Sequence, residues 1–291
     1  MNTKRSALKS HLDAGEFVVA PGVFELISAK IADQMDFPAL YMTGYGTVAS
    51  YLGLPDAGLA SYTDMVNRVA TMAGATSKPL IADGDTGYGG LLNVDHTVRG
   101  YERAGAAAIQ MEDQEFPKKC GHTPGRRVIP LEDMVRKIKV AVAARESEDF
   151  LIIARTDART NYGLAEALKR GQAFEEAGAD IIFIESPESE DEMQQICRTI
   201  QKPTLVNVVD GGSTPVLPLQ SLEELGYSMA IFPATGFLAM GAALQSTYQH
   251  IEKTGSSAGI QTPLYNFQQF SELMGFKRVW SFEKQWPELP E

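Results

Sequence analysis

Apolar residues recur along the chain in runs of four to seven, each bounded by turn residues and followed by a stretch whose apolar positions return every three or four residues. Short continuous apolar runs read as strands buried on both faces, and the longer period reads as helices with one apolar stripe. "FVVAPG" (17–22) precedes "ELISAKIADQM", "PALYMTG" leads to "SYTDMVNRVATMAGA", "KPLIADGD" precedes "NVDHTVRGYERAGA", and "AAIQMED" comes before "LEDMVRKIKVAVAAR". "FLIIARTDA" with "GLAEALKRGQAFEEAGA", "ADIIFIES" with "EDEMQQICRTIQ", "PTLVNVV" with "PLQSLEELGY", and "MAIFPATG" with "FLAMGAALQSTYQHIEKTG" bring the count to eight strand-helix units. Ser61 or Thr63 can cap the helix of the second unit by accepting from free backbone amides. Two helices end in "AGA" (104–106 and 177–179), where the glycine can take the left-handed conformation that stops a helix.

Eight units without a break in composition predict an α/β fold, one parallel (β/α)8 TIM barrel, rather than an open doubly wound sheet. The expected division is a barrel domain over 1–255 and a C-terminal helical extension over 256–291. That tail is aromatic and amphipathic from Leu264 onward, so it is expected to pack on the barrel or on a partner subunit.

Composition narrows the function. Of the 291 residues, 44% are hydrophobic and 22% charged, the usage of an ordinary globular chain, and the formal charge of -11 opposes a nucleic-acid partner. The start is polar and no run of 18 apolar residues follows, so the expectation is a cytoplasmic protein with no membrane partner. Two cysteines are too few for a disulfide framework. Cys197 sits at helical spacing beside Ile196 and reads as packing, whereas Cys120 falls in the loop 114–128, which has no helix or strand pattern.

In such barrels chemistry gathers where strands end at their carboxyl termini. Those ends supply Tyr41, Thr43, Gly44 and Tyr45, then Asp83 and Asp85, Glu112 and Asp113, Arg155 and Asp157, Glu185, and Asn207. Asp83 and Asp85 are two apart on a strand and face one way, while the glycines of "DGDTGYGG" clear space beside them. Converging carboxylates completed by Glu112 or Asp113 suit a hard cation, Mg²⁺ or Mn²⁺, that retains water; the spacing of His and Cys does not suit zinc. Arg155 has the planar fork for a substrate carboxylate, or it bridges to Asp157 or Glu185. Lys118, Lys119 and His122 would favour a thiolate at Cys120, which could serve as an acid or as a nucleophile.

"KKCGH" (118–122) after "MEDQ", with "ADGDTGYGG" upstream and "IIARTDA" downstream, resembles the isocitrate lyase and phosphoenolpyruvate mutase superfamily. The resemblance covers nearly the whole chain, and the cysteine points to the carbon-carbon lyase branch, near methylisocitrate lyase and 2,3-dimethylmalate lyase. It implies a Mg²⁺-dependent lyase acting on a small 2-hydroxy di- or tricarboxylate, usually as a homotetramer. It also implies roles: Asp85 on the metal with Asp83 and Glu112 largely through water, Thr43, Gly44 and Tyr45 around the keto-acid end, and Arg155 on a carboxylate. Cys120 would be the proton donor, with Gly121, His122, Glu185 and Asn207 against the other product, and Asp56 a further active-site aspartate. Tyr41 or a metal-linked carboxylate would be the base. Thr123 and "NVVDGGSTP" depart from methylisocitrate lyases where substrate substituents are read. Oxaloacetate hydrolysis or phosphonopyruvate processing is the alternative activity, although Pro233 and Thr235 stand where oxaloacetate hydrolases carry a serine. A non-catalytic keto-acid binding protein is a further alternative.

Overall fold

The structure, a computed structural model, describes residues 3–121 and 125–287. Its eight strands are β1 (Val18–Val23), β2 (Leu40–Met42), β3 (Leu80–Asp83), β4 (Ala108–Glu112), β5 (Leu151–Thr156), β6 (Ile181–Ile184), β7 (Thr204–Asn207) and β8 (Met229–Phe232), all parallel and in chain order around a closed barrel. β1 pairs with β8 from Val18↔Met229 to Pro21↔Phe232, which closes the ring.

Strand alternation divides the core into two layers. Val18, Ala20, Tyr41, Ile81, Ala108, Ile153, Phe183, Leu205 and Ile231 pack inside the barrel. Their neighbours Leu40, Met42, Ala82, Ile109, Ile152, Ile182 and Val206 pack outward with the helices. With a period of two, the next inward positions above this plug are Asp83, Gln110 and Glu112, Arg155, Glu185 and Asn207. The barrel therefore fills with apolar side chains at its lower end and turns polar at the carboxyl ends of its strands.

The outer helices are α2 (Leu26–Asp33), α4 (Tyr62–Ala75), α5 (Leu91–Arg103), α6 (Leu131–Ala144), α7 (Ala158–Glu176), α8 (Glu190–Thr199) and α9 (Leu219–Leu225), and α10 (Thr235–Thr254) follows β8. Ser61 caps α4 by accepting from the Asp64 N–H, and Gly105 (φ 99) and Gly178 (φ 100) take the left-handed conformation where the two "AGA" segments predict it. α7 begins before the predicted stretch: Gly163 (φ 82) kinks it, and the preceding turn from Ala158 is helical as well.

Two helices lie outside the predicted pattern. α1 (Thr3–Asp13) precedes β1 and buries Leu8 in the barrel-interior cluster. α3 (Gly44–Leu52) starts directly after β2. α11 (Phe267–Leu273) and α12 (Phe276–Gln285) follow α10. The chain forms two compact units, Met1–Phe237 and Leu238–Glu291, so the boundary falls within α10. No helix among the described residues is long and apolar enough to cross a membrane.

Candidate active site

Alternation brings the sequence-predicted side chains Asp83, Glu112, Arg155, Glu185 and Asn207 to one mouth, and all five are buried. Asp83 braces the backbone: Oδ1 accepts from the Asp85 N–H (3.0 Å) and Oδ2 from the Gly44 N–H (3.2 Å). Gly44 needs its missing side chain, because a Cβ there would lie 2.5 Å from Asp83 Oδ2. This contact fixes the N-terminus of α3, where free amides favour an anion. Thr43 is the N-cap residue and is buried, while Tyr45 is more exposed, its ring 5.1 Å from that of Phe237.

Asp85 leaves β3 with φ 48, a left-handed conformation that a non-glycine residue adopts only when its surroundings hold it there. Three outer side chains clasp this turn. Tyr101 Oη donates to the Asp83 carbonyl (3.1 Å), Thr97 Oγ1 to that of Gly87 (3.3 Å), and Lys137 Nζ to that of Thr86 (2.8 Å). Burial pushes the Asp85 carboxyl up to about 6 against the pull of Lys118.

Lys118 is the main departure from the sequence reading. Its Nζ lies 2.5 Å from Asp56 Oδ1 and 2.6 Å from Asp85 Oδ1, so its charge is committed to two carboxylates rather than to the thiol of Cys120. Burial works against the ammonium, but Asp85 and Asp56 outweigh it and hold its pKa well above the usual value. Lys119 is exposed, and its backbone is tied on both sides by Gln114, through Lys119 N–H to Oε1 (2.9 Å) and Nε2 to the Lys119 carbonyl (2.8 Å).

Arg155 makes the bridge weighed in the sequence. Nε and Nη2 reach the two oxygens of Asp157 at 3.0 and 2.9 Å, and Nη2 lies 3.2 Å from Glu185 Oε2. Its Nε is 3.4 Å from Glu112 Oε2, and the guanidinium stands over the Phe183 ring at 5.0 Å. Burial disfavours its charge, yet Asp157, Glu185 and Glu112 outweigh that and raise its pKa. Glu185 also accepts from the Ser186 N–H (2.9 Å) and from Asn207 Nδ2 (3.1 Å).

The loop after β4 is pinned at its base by the antiparallel Gln114↔Val128 bridge, and its Cys120 and Gly121 reach this mouth. The Cys120 N–H donates to the Asp56 carbonyl (3.2 Å), and a Cβ on Gly121 would lie 2.3 Å from Arg155 Nη2 and 3.0 Å from Glu185 Oε2. Cys120 is thus carried over the polar ring and is half-buried. His122 and Thr123 lie outside the described residues.

Two strand-end acids leave the mouth. Asp113 turns outward, accepting from Thr156 Oγ1 (2.7 Å), the Asp157 N–H (2.9 Å) and Arg170 Nη1 (3.0 Å). Burial, with Asp157 adding to it, pushes its carboxyl up to about 6. Asp157 serves Arg155 and also accepts from Arg126 Nη1 at 2.6 Å. Tyr41 lies one layer below the carboxylates, paired with Ile81, and donates to Gln110 Oε1 (2.6 Å). Burial, then Asp83, raises its phenol well above the usual value, so it stays protonated and acts as a donor.

Sequence reasoning passed over Gln110, which links Tyr41 to Asp83, and Arg126. Gln110 had a signal: it is the polar inward residue between Ala108 and Glu112.

The donor set suits a hard cation. Glu112 Oε1 is buried with no hydrogen-bond partner among the described residues, and the Asp56 and Asp85 carboxylates already collect one positive charge. Among the described residues no three His, Cys, Asp or Glu form a closed metal cage. Mg²⁺ does not need one, since it is held by one or two carboxylates and keeps several waters.

Fold and mouth together define a (β/α)8 barrel whose strand ends carry a ring of buried oxygens, braced by Lys118 and Arg155, with Cys120 and Gly121 against it. The chain belongs to the phosphoenolpyruvate phosphomutase family, which it matches over residues 8–252. It is 47% identical over 279 residues to 2,3-dimethylmalate lyase of Eubacterium barkeri, covering 96% of each chain. To 2-methylisocitrate lyase of Aeropyrum pernix it is 42% identical over 269 residues, 92% of this chain and 86% of that one. A crystal structure of 2,3-dimethylmalate lyase superposes with a TM-score of 0.92 at 33% identity over 98% of this chain and 96% of that one. Phosphonopyruvate hydrolase, solved in complex with oxalate and Mg²⁺, superposes with a TM-score of 0.88 at 32% identity over 97% and 99%.

Proposed function

We propose that this chain is a carbon-carbon lyase that cleaves a 2-hydroxy di- or tricarboxylate, of the 2,3-dimethylmalate or 2-methylisocitrate type, to a 2-keto acid such as pyruvate and a second carboxylate. The observation that carries this reading is the seating of the cysteine loop, with Gly121 against Arg155 and Glu185. The similarity to two lyases over more than nine-tenths of the chain supports it.

A bound Mg²⁺ or Mn²⁺ would supply positive charge that lowers the cost of a developing alkoxide and enolate. Asp85 would hold it directly, with Asp83 and Glu112 reaching it through water. The N-terminus of α3, at Thr43, Gly44 and Tyr45, receives the keto-acid end, and Arg155 pairs with a carboxylate of the substrate. Loss of the hydroxyl proton lets the carbon-carbon bond break. The hydroxyl carbon becomes the ketone, and the bond's electron pair forms the enolate of the departing carboxylate. Cys120 then gives its thiol proton to the enolate carbon, so no water is consumed. Gly121, Glu185 and Asn207 contact that second product, and resemblance adds His122. Asp56 acts through Lys118, holding it beside Asp85. The base is a carboxylate of the metal side, since Tyr41 lies one layer below the carboxylates with its hydroxyl on Gln110.

Incubating the protein and Mg²⁺ with 2,3-dimethylmalate, 2-methylisocitrate, oxaloacetate and phosphonopyruvate, followed by NMR, tests the assignment. A 2-keto acid should appear from one of the first two and stop on adding EDTA. Turnover of oxaloacetate or phosphonopyruvate alone would replace the lyase with a hydrolase, and binding without turnover would leave a keto-acid binding protein.

A further inference from the structure

The turn that carries Asp83 and Asp85 holds two non-glycine residues in the left-handed region, Asp85 (φ 48) and Tyr88 (φ 58). Such conformations persist only where the surroundings over-determine them. Here each backbone carbonyl from Asp83 to Gly87 has a donor. The Gly87 N–H (2.9 Å) and the Glu112 N–H (2.9 Å) serve Gly84 and Asp85, Lys137 Nζ of α6 serves Thr86, and Thr97 Oγ1 of α5 serves Gly87. Asp83 is served by Tyr101, which is fully buried on α5. That phenol has one proton and the Asp83 carbonyl takes it, so in the 2.9 Å contact between Tyr88 Oη and Tyr101 Oη the donor is Tyr88. The turn therefore closes on itself: its far end reaches back to its first residue through a tyrosine of the outer helix. Tyr62 of α4 packs on both rings, with centroids at 6.1 and 6.5 Å, and fits there because position 100 within α5 is glycine, where a Cβ would overlap Tyr62 Oη.

We propose that Tyr101, aimed by Tyr88, is a positioning residue that presets the Asp83–Asp85 turn for a divalent cation, so that metal affinity is set partly from outside the barrel. Asp83 Oδ1 accepts from the Asp85 N–H at 3.0 Å, so the placement of Asp83 decides where the Asp85 carboxylate stands. The Tyr101 bond holds the carbonyl of that same Asp83. Without it, one end of the segment is free to relax out of the left-handed conformation. A cation would then have to impose a geometry that it now meets ready-made, and partners lying behind metal ligands act in this way. The proposal rests on the reading of Asp85 as the direct ligand of the cation, and it is independent of which hydroxy acid is cleaved.

The test is Mn²⁺ binding by the full chain without substrate, followed through the electron paramagnetic resonance signal of the free hexaaqua ion, so that it reads affinity and not turnover. Tyr101→Phe keeps the ring and removes the oxygen, and should raise the Mn²⁺ dissociation constant about tenfold or more. Tyr88→Phe leaves the bond to Asp83 but removes the donor that aims Tyr101, and should raise it less. Tyr62→Phe loses a hydroxyl that faces Gly100 rather than the turn, and should bind as the parent does. A dissociation constant in Tyr101→Phe within twofold of the parent overturns the proposal. Equal weakening in Tyr62→Phe and Tyr101→Phe overturns it as well, since that marks a general loosening of the cluster. Should Tyr101→Phe fail to fold, parental affinity in Tyr88→Phe overturns it in the same way. A parent that binds no Mn²⁺ would remove the cation reading and the proposal together, whereas a parent that binds while Tyr101→Phe binds equally removes the proposal alone.

Discussion

Lys118 carries the electrostatic balance of the mouth. Its ammonium is buried between Asp56 and Asp85, and removing one partner of such a group leaves buried charges unpaired. Lys118→Met should lower the unfolding free energy by about 3–5 kcal/mol in a urea titration, and an unchanged midpoint would place the lysine in solvent instead. The inward carboxylates were legible one residue at a time, because a strand's period of two fixes which side chains enter the barrel. Lys118 and Arg126 were not, because a loop has no period, and only the fold decides which of its charges turn inward. Asp113 follows β4 directly after Glu112, and the alternation that sends Glu112 in sends Asp113 out to Arg170.

At the scale of elements, the eight strand-helix units could be counted from apolar runs, and the terminating glycines appear where helices stop. α3 was hidden because "GYGTVASYL" offers two glycines and β-branched residues within nine positions, a weak helix by intrinsic preference. Its start depends on tertiary contact, the Asp83 carboxylate taking the Gly44 N–H. Gly44→Ala places a methyl 2.5 Å from that oxygen and must displace either α3 or Asp83. Because a shift of about 1 Å in a catalytic group costs on the order of 10²-fold, kcat/KM should fall by that factor with the fold retained by circular dichroism. α1 was hidden for another reason: its short polar face obscures Leu8, the residue that packs into the barrel-interior cluster.

For the whole molecule, the Leu238–Glu291 unit exposes the large apolar side chains Leu244, Tyr248, Phe267, Trp280, Phe282 and Trp286, and contiguous exposed apolar surface marks interaction sites. We propose that this surface joins copies of the chain into a homotetramer. The double substitution Trp280→Lys and Phe282→Lys should reduce the mass seen by light scattering after gel filtration, whereas an unchanged mass would put the assembly elsewhere. In the proposed reaction all three scales meet: strand alternation sets the carboxylates, the N-terminus of α3 and Arg155 would hold the poles of the substrate, and Cys120 would bring the acid. The most direct test of the account is the turnover of Cys120→Ser on whichever hydroxy acid the parent cleaves, measured with saturating Mg²⁺. Turnover should fall on the order of 10²-fold or more, since the serine hydroxyl is a far weaker acid. Cleavage at the parent rate would contradict the assignment of Cys120 as the proton donor.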